Sequence, residues 1–203
     1  KNYLNSKSPE FFNYIKKTIL KGLFINNTLI RNISGNVITS LFSVLTIDNW
    51  PQVLIDLLNL ADPTSNQQVF VQENSMSAFL KICEDSASIL EKPMKNSNEV
   101  PLDFIVPKLL NLLDSPSSKV KSDSILCINQ FVLLRNYSIS NQLELYLSKL
   151  FNLASESDPS IRKNVCSAFS LILDSRPDVI TPHLQGVTNY CLHTINDPNY
   201  DVS

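Results

Sequence analysis

The sequence has 203 residues, of which 43% are hydrophobic and 18% are charged, and its formal net charge is −2. This composition is typical of a folded soluble protein, and it lacks both the basic excess of a nucleic-acid-binding surface and the apolar run of about 20 residues that spans a membrane. Three glycines are too few for phosphate-binding loops or many tight hairpins, so we predict an all-α fold.

Five amphipathic segments in chain order predict helices of one kind, which we call A helices. Prolines at positions 51, 101, 107 and 182 mark the starts or early kinks of these helices, because proline fixes φ and removes a backbone donor. The segments are SPEFFNYIKKTILKGLF (8–24), NWPQVLIDLLNLAD (49–62), PLDFIVPKLLNLLDS (101–115), SNQLELYLSKLFNLASE (140–156) and TPHLQGVTNYCLHTIND (181–197).

A second kind of helix, the B helix, follows each A helix after a short turn. The B helix that starts at Pro159 is predicted to be capped by Asp158. Its apolar residues recur at spacings of three and four and predict one buried stripe: Ile161, Val165, Ala168, Phe169 and Ile172. Equivalent aliphatic residues open every B helix, at intervals of 41, 49, 41 and 41 residues: Ile30, Val71, Val120, Ile161 and Val202.

Paired helices with a period near 41 predict a HEAT-repeat solenoid, an α-α superhelix of about four full repeats plus a truncated fifth. An armadillo array would add a third short helix, usually set off by glycine. We expect one array over residues 1–203, with a polar connector at 92–100 that absorbs the longer interval. The expected units are 8–47, 48–91, 101–137, 140–176 and 181–203, and the array is expected to continue beyond Ser203.

The residue after each opening aliphatic residue is cationic in three units, at Arg31, Lys121 and Arg162. We predict that these cations form a structural ladder with Asp or Asn in neighbouring turns, and we consider a binding role for them the less favoured alternative. The four cysteines have no metal-binding spacing and lie in apolar helical contexts, which predicts reduced thiols in the core.

No pattern of catalytic residues or cofactor ligands is present. The two histidines lack ligand partners at metal-binding spacing, and neither a nucleophile turn nor a glycine-rich nucleotide fingerprint occurs. We therefore predict that the protein is not an enzyme and has no catalytic residues, no metal and no cofactor.

The stretch KICEDSA places Glu84 and Asp85 near the expected C-terminal end of a B helix, where the helix dipole disfavours anions. Neighbouring side chains diverge by about 100° on a helix, which is poor geometry for a catalytic pair. Two interpretations remain: the acids lie at a solvated helix end, or their carboxylates form a surface that binds a cationic partner. Asp174 occupies the comparable register of the fourth unit.

Four stretches resemble, in order and spacing, the amino-terminal HEAT repeats of the transportin family, in a fungal-like form. They are NWPQVLIDLLNL, FLKICEDSASIL, CINQFV and IRKNVCSAF, and the likeness runs from about Ser8 to Ser203. Transportins are karyopherin-β nuclear import receptors for proline–tyrosine localisation signals. The segment FINNTLIR departs from the resemblance, because the family has a more acidic turn there.

The resemblance implies a receptor that shuttles between cytoplasm and nucleus and releases cargo when GTP-bound Ran binds its amino-terminal arch. It makes Glu84, Asp85 and Asp174 candidate Ran-binding residues, because Ran contacts the B helices of early repeats in the family. It also implies phenylalanine–glycine nucleoporins as partners of the A helices, and cargo bound through later repeats. The rival interpretation is a HEAT scaffold of a phosphatase or vesicle-coat complex, which would have the same fold.

Overall fold

The computed structural model describes residues 9–95, 97–195 and 197. Within these ranges every regular element is helical, so the predicted all-α class is confirmed. The helices are α1 (Pro9–Lys21), α2 (Thr28–Asn49), α3 (Gln52–Ala61), α4 (Val69–Leu90), α5 (Pro101–Leu112), α6 (Ser118–Leu133), α7 (Tyr137–Ser140), α8 (Leu143–Leu153), α9 (Pro159–Ser175), α10 (Pro177–Ile180) and α11 (Leu184–Thr194).

The helices form two layers. The B helices α2, α4, α6 and α9 stack in chain order, each packed extensively against the next. The A helices α1, α3, α5, α8 and α11 form the second layer, and contacts between successive A helices are few. Because the B helices lie closer to one another than the A helices do, the array curves with its B helices on the concave side.

The predicted start signals of α9 and α5 are confirmed. The Asp158 carboxylate accepts the Ser160 backbone N–H at 2.8 Å, and Pro159 is the first residue of α9. Pro101 likewise begins α5, while Pro107 lies inside that helix. The Asn27 side chain caps α2 by accepting the Ile30 backbone N–H.

Two one-turn helices, α7 and α10, precede α8 and α11 and were not predicted from the sequence. The signals for both are local: the Asn136 side chain accepts the Ser138 backbone N–H to start α7, and Pro177 starts α10. Their four residues are too few for the periodicity that reveals longer helices.

The core lies between the two layers and follows the predicted register. The α9 stripe from Ile161 to Ile172 is buried, and so are Val71 and Val120. Ile30 is the exception: it is exposed, because no described helix covers that side of α2 as α2 covers α4. Val202 lies outside the described residues.

The cysteine prediction holds for two of four residues. Cys83 and Cys127 are buried on the facing helices α4 and α6, and burial raises the pKa of the Cys127 thiol well above its usual value. Cys166 is half-buried, with its Sγ 3.7 Å from the Tyr190 hydroxyl. The prediction is wrong for Cys191, which is exposed on α11.

The polar connector between α4 and α5 packs back onto the end of α2. The Asp48 carboxylate accepts the Lys95 backbone N–H at 3.1 Å and pairs with its Nζ at 3.0 Å. The α2 backbone bends just before this contact, at Thr46, whose φ of 61° and ψ of 173° are not helical. The bend and the ion pair together fix the connector against the first helix pair.

Candidate partner-binding face

Glu84 and Asp85 are exposed on α4, as a partner-binding role requires, but they do not end the helix. The helix continues to Leu90, so both carboxylates precede its last turn and the unfavourable end of its dipole. The two acids lie near the C-terminal end of α4, as expected, but more than one turn before it. Asp174 does lie in the last turn of α9 and is exposed.

These acids belong to a row that repeats from one B helix to the next. Counted from the opening aliphatic residue, the same position is occupied by Ser43, Glu84, Leu133 and Asp174, and all four are exposed. Leu133 is 54% exposed although it is apolar. In the described ranges, the carboxylates of Glu84, Asp85 and Asp174 make no hydrogen bond or ion pair with another residue. The row thus presents unpaired carboxylates on either side of an exposed leucine.

Nearer the start of the B helices, polar side chains join one helix to the next. Asp123 on α6 is only 1% exposed, and its carboxylate accepts hydrogen bonds from the Ser77 hydroxyl and the Lys119 ammonium, both at 2.7 Å. The Asn164 amide donates to the Ser122 hydroxyl at 2.9 Å. These bonds satisfy buried polar atoms and fix the stacking of α4, α6 and α9.

The three predicted ladder cations make different contacts. Lys121 pairs with Glu156, and Arg162 forms a bidentate pair with Asp197 at 2.7 and 2.9 Å; both carboxylates lie in the following unit's turn. The Asp197 carboxylate raises the pKa of Arg162. Arg31 instead donates to its own turn, to the Ile25 carbonyl at 2.9 Å and the Thr28 hydroxyl at 3.1 Å.

On the opposite face, α1 and α3 border a cleft of about 280 Å³. The Lys16 ammonium donates to the Asn49 carbonyl at 2.8 Å and lies 5.8 Å from the centre of the Trp50 ring. Partial burial lowers the pKa of Lys16. Trp50 itself is buried at the start of α3 and does not project into solvent.

The histidines are apart from one another: His183 Nε2 lies 3.3 Å from a Glu144 carboxylate oxygen, and His193 is exposed on α11. Within the part of the chain that the structure describes, no three His, Cys, Asp or Glu residues are grouped to hold a metal ion. None of the described helices is both long and apolar enough to cross a membrane.

Sequence comparison gives relatives named importin subunit beta-2 and transportin-1. The chain is 39% identical over 191 residues to importin subunit beta-2 of Schizosaccharomyces pombe, covering 94% of this chain and 20% of that protein. It is 32% identical over 190 residues to transportin-1 of Mus musculus, with 94% of this chain and 20% of that protein covered. By sequence, this chain is similar to importin beta-2 and transportin-1. No family model matches the chain.

The chain spans about one fifth of the length of these relatives. Solved structures show the same fold. Yeast importin-beta, Kap95p, superposes with a TM-score of 0.74 at 16% identity, over 98% of this chain and 23% of that one. A Kap95p structure with RanGDP gives a TM-score of 0.74 at 17% identity, covering 98% of this chain and 22% of that chain, and a Kap95:Nup1 complex gives 0.75 at 16% identity, covering 98% and 23%. The predicted HEAT-repeat solenoid fold is confirmed.

Proposed function

We propose that this chain is a Ran-binding segment of a nuclear import receptor and that the row on its B helices contacts the GTPase. The observation that carries the proposal is the pair of exposed, unpaired carboxylates Glu84 and Asp85 on α4, with Asp174 at the equivalent position on α9. The transportin likeness and the Kap95p complex with RanGDP support it as the precedent of related receptors.

The chemistry of the row favours a partner with basic side chains around an apolar one. Unpaired carboxylates attract Lys and Arg and accelerate association. Burial of the exposed Leu133 against an apolar group stabilises the complex. Successive packed helices are about 8–10 Å apart. A partner must therefore present these groups over several helix spacings, which a folded protein surface does.

Charge reversal tests this assignment. We expect Glu84→Lys combined with Asp85→Lys to weaken binding of GTP-loaded Ran by about tenfold or more, because attraction becomes repulsion at the interface. The affinity is measured by titration with fluorescent Ran, on the longest natural polypeptide that carries this chain. Helicity measured by circular dichroism is expected to stay the same, since both side chains are exposed and form no bond in the fold.

A matched control reverses two acids elsewhere on the chain. Glu91→Lys with Glu99→Lys makes the same change in net charge on the connector, away from the row, and is expected to leave Ran affinity within about threefold. Equal losses in both double variants would mean that only the overall charge matters. Unchanged affinity in the α4 variant would remove Glu84 and Asp85 from the interface.

The wider receptor function rests on the same likeness. We place the protein in the cytoplasm and nucleus, moving through the pore, with nucleoporins as partners of the A-helix face; the Kap95:Nup1 complex supports this as a precedent. The cleft beside Trp50, between α1 and α3, is our candidate for a nucleoporin contact on that face. Cargo recognition is assigned to segments outside this chain, and no enzymatic activity is proposed.

A further inference from the structure

In two places, a cation at the start of a B helix forms an ion pair with an acid in the turn of the next unit. Two of the cations that follow an opening aliphatic residue pair with a residue 35 positions later. For Arg162 that residue is Asp197, and for Lys121 it is Glu156, and each forms an ion pair. In the second unit, where the connector lengthens the spacing to 43 residues, both members are neutral, Gln72 and Ser115.

Arg31 is the exception to this pairing. Its counterpart 35 residues later is Asn66, which carries no charge. Arg31 is only 8% exposed, yet no carboxylate lies within ion-pair distance of it among the described residues. The surrounding sequence offers no other acidic partner for Arg31, because positions 11–47 contain no Asp or Glu. The same positions contain four cations: Lys16, Lys17, Lys21 and Arg31. The guanidinium is therefore a buried charge without a counter-charge, an arrangement that is costly.

The hydrogen bonds show which edge of the guanidinium lacks a carboxylate. Arg31 and Arg162 both direct Nη1 at the carbonyl six residues earlier, Ile25 and Glu156. On Arg162, Nε and Nη2 then hold the two oxygens of Asp197. On Arg31, Nη2 donates to the neutral Thr28 hydroxyl and the buried Nε has no acceptor. One face of the group is closed by the Phe70 ring, 4.5 Å away.

We infer that Arg31 is a binding site for a carboxylate of an acidic protein partner at the joint between the first and second helix pairs. The carboxylate takes the Nε and Nη2 edge by displacing the Thr28 hydroxyl, because a charge-assisted bidentate pair is stronger than a bond to a neutral hydroxyl. The N-terminus of α2 adds its partial positive charge. Phe24 and Ile25, each 44% exposed in the adjoining turn, offer apolar contact beside the carboxylate.

The substitution Asn66→Asp tests the site by giving Arg31 a carboxylate from the chain itself. Asp has the shape of Asn and tolerates the left-handed backbone of Asn66, where φ is 54° and ψ is 22°. Its carboxylate is expected to pair with Arg31 as Asp197 pairs with Arg162. We expect the midpoint of thermal unfolding to rise by several degrees, measured by calorimetry.

Binding is measured with a fluorescein-labelled hexaglutamate peptide, with hexaglutamine as the uncharged probe. The unmodified chain is expected to bind hexaglutamate and not hexaglutamine, and Asn66→Asp is expected to weaken that binding by about tenfold or more. The control is Gln67→Asp, which adds the same charge one residue away and is expected to change the affinity by less than about threefold.

Three results would overturn the inference. Absence of hexaglutamate binding would exclude a carboxylate site. Equal weakening by Asn66→Asp and Gln67→Asp would mean that the peptide responds only to diffuse charge. If Asn66→Asp stabilised the chain no more than Gln67→Asp does, Arg31 would not need a counter-charge. None of these measurements involves Ran, so the inference and the proposed function fail separately.

Discussion

At the scale of single residues, the most unusual backbone in the described chain is at Thr46. A φ of 61° with a ψ of 173° lies in a region that is essentially reserved for glycine, and Thr is β-branched. The strain is held by the packing around it: Ile47 and Trp50 are buried, and the Trp50 backbone N–H bonds to the Thr46 carbonyl at 3.1 Å. The bend directs α2 into α3 without a longer loop.

Replacement of Thr46 by Gly is predicted to stabilise the chain. Relief of about 1–3 kcal/mol of backbone strain is offset by about 0.5–1 kcal/mol of lost chain entropy, which leaves a net gain of about 1 kcal/mol. The unfolding midpoint should rise by about 2–4 °C. The matched control is Ser43→Gly, at an exposed and regular position of the same helix, which should lower the midpoint. Destabilisation by Thr46→Gly would contradict a strained Thr46.

At the scale of elements, the long helices were predictable and the departures have local causes. The start of α9 shows why: Asp158 and Pro159 are explicit start signals, and the stripe from Ile161 to Ile172 gives the buried side of the helix. Helices α7 and α10 were missed because one turn carries no periodicity. Glu84 and Asp85 fall near the end of α4 as expected, although the helix continues for more than one turn beyond them to Leu90.

The partner contacts of the ladder cations required the structure. The sequence indicates that Arg31, Lys121 and Arg162 share a register. It does not indicate that Arg162 reaches Asp197 while Arg31 stays within its own turn, because side-chain direction depends on the packing of neighbouring turns. The exposure of Ile30 was likewise missed, since periodicity identifies an apolar side but not whether a helix covers it.

The connector between α4 and α5 gives a prediction about acid. Hydrogen bonds from the Lys95 backbone and ammonium lower the pKa of Asp48 below its usual value of 3.8. A depressed carboxyl pKa contributes stability that is present above the unfolded-state pKa of about 3.9 and is lost as pH falls through the folded-state value. We therefore expect the connector to stay docked at neutral pH and to open only below about pH 4.

This prediction is checked by amide exchange of residues 91–95 and 97–100 across the pH series. Asp48→Asn removes the charge but keeps the shape, so the variant should show weaker protection at neutral pH and no added loss of protection through acid titration of residue 48. The exposed Asp178 also has a lowered pKa, from its pair with Arg176, and Asp178→Asn serves as the control because it lies in another unit. A pH dependence identical in both variants would contradict the role of Asp48.

At the scale of the whole molecule, the B-helix face and the A-helix face have separate chemistry. The B helices are joined near their starts by bonds among Ser77, Asp123, Ser122 and Asn164, and they leave the row of Glu84, Leu133 and Asp174 free for a partner. Because the fold alone suits any HEAT scaffold, the assignment to nuclear import depends on the partner that this row selects.

Nucleotide selectivity is the most direct measurement of that claim. The longest natural polypeptide carrying this chain is titrated with Ran loaded with either GTP or GDP, at one ionic strength, because exposed charge contacts weaken with salt. The account predicts binding of the GTP form at least about tenfold tighter than the GDP form, with the preference lost when Glu84 and Asp85 are replaced by Lys. Equal affinity for both forms, or none for either, would contradict it and favour the scaffold interpretation.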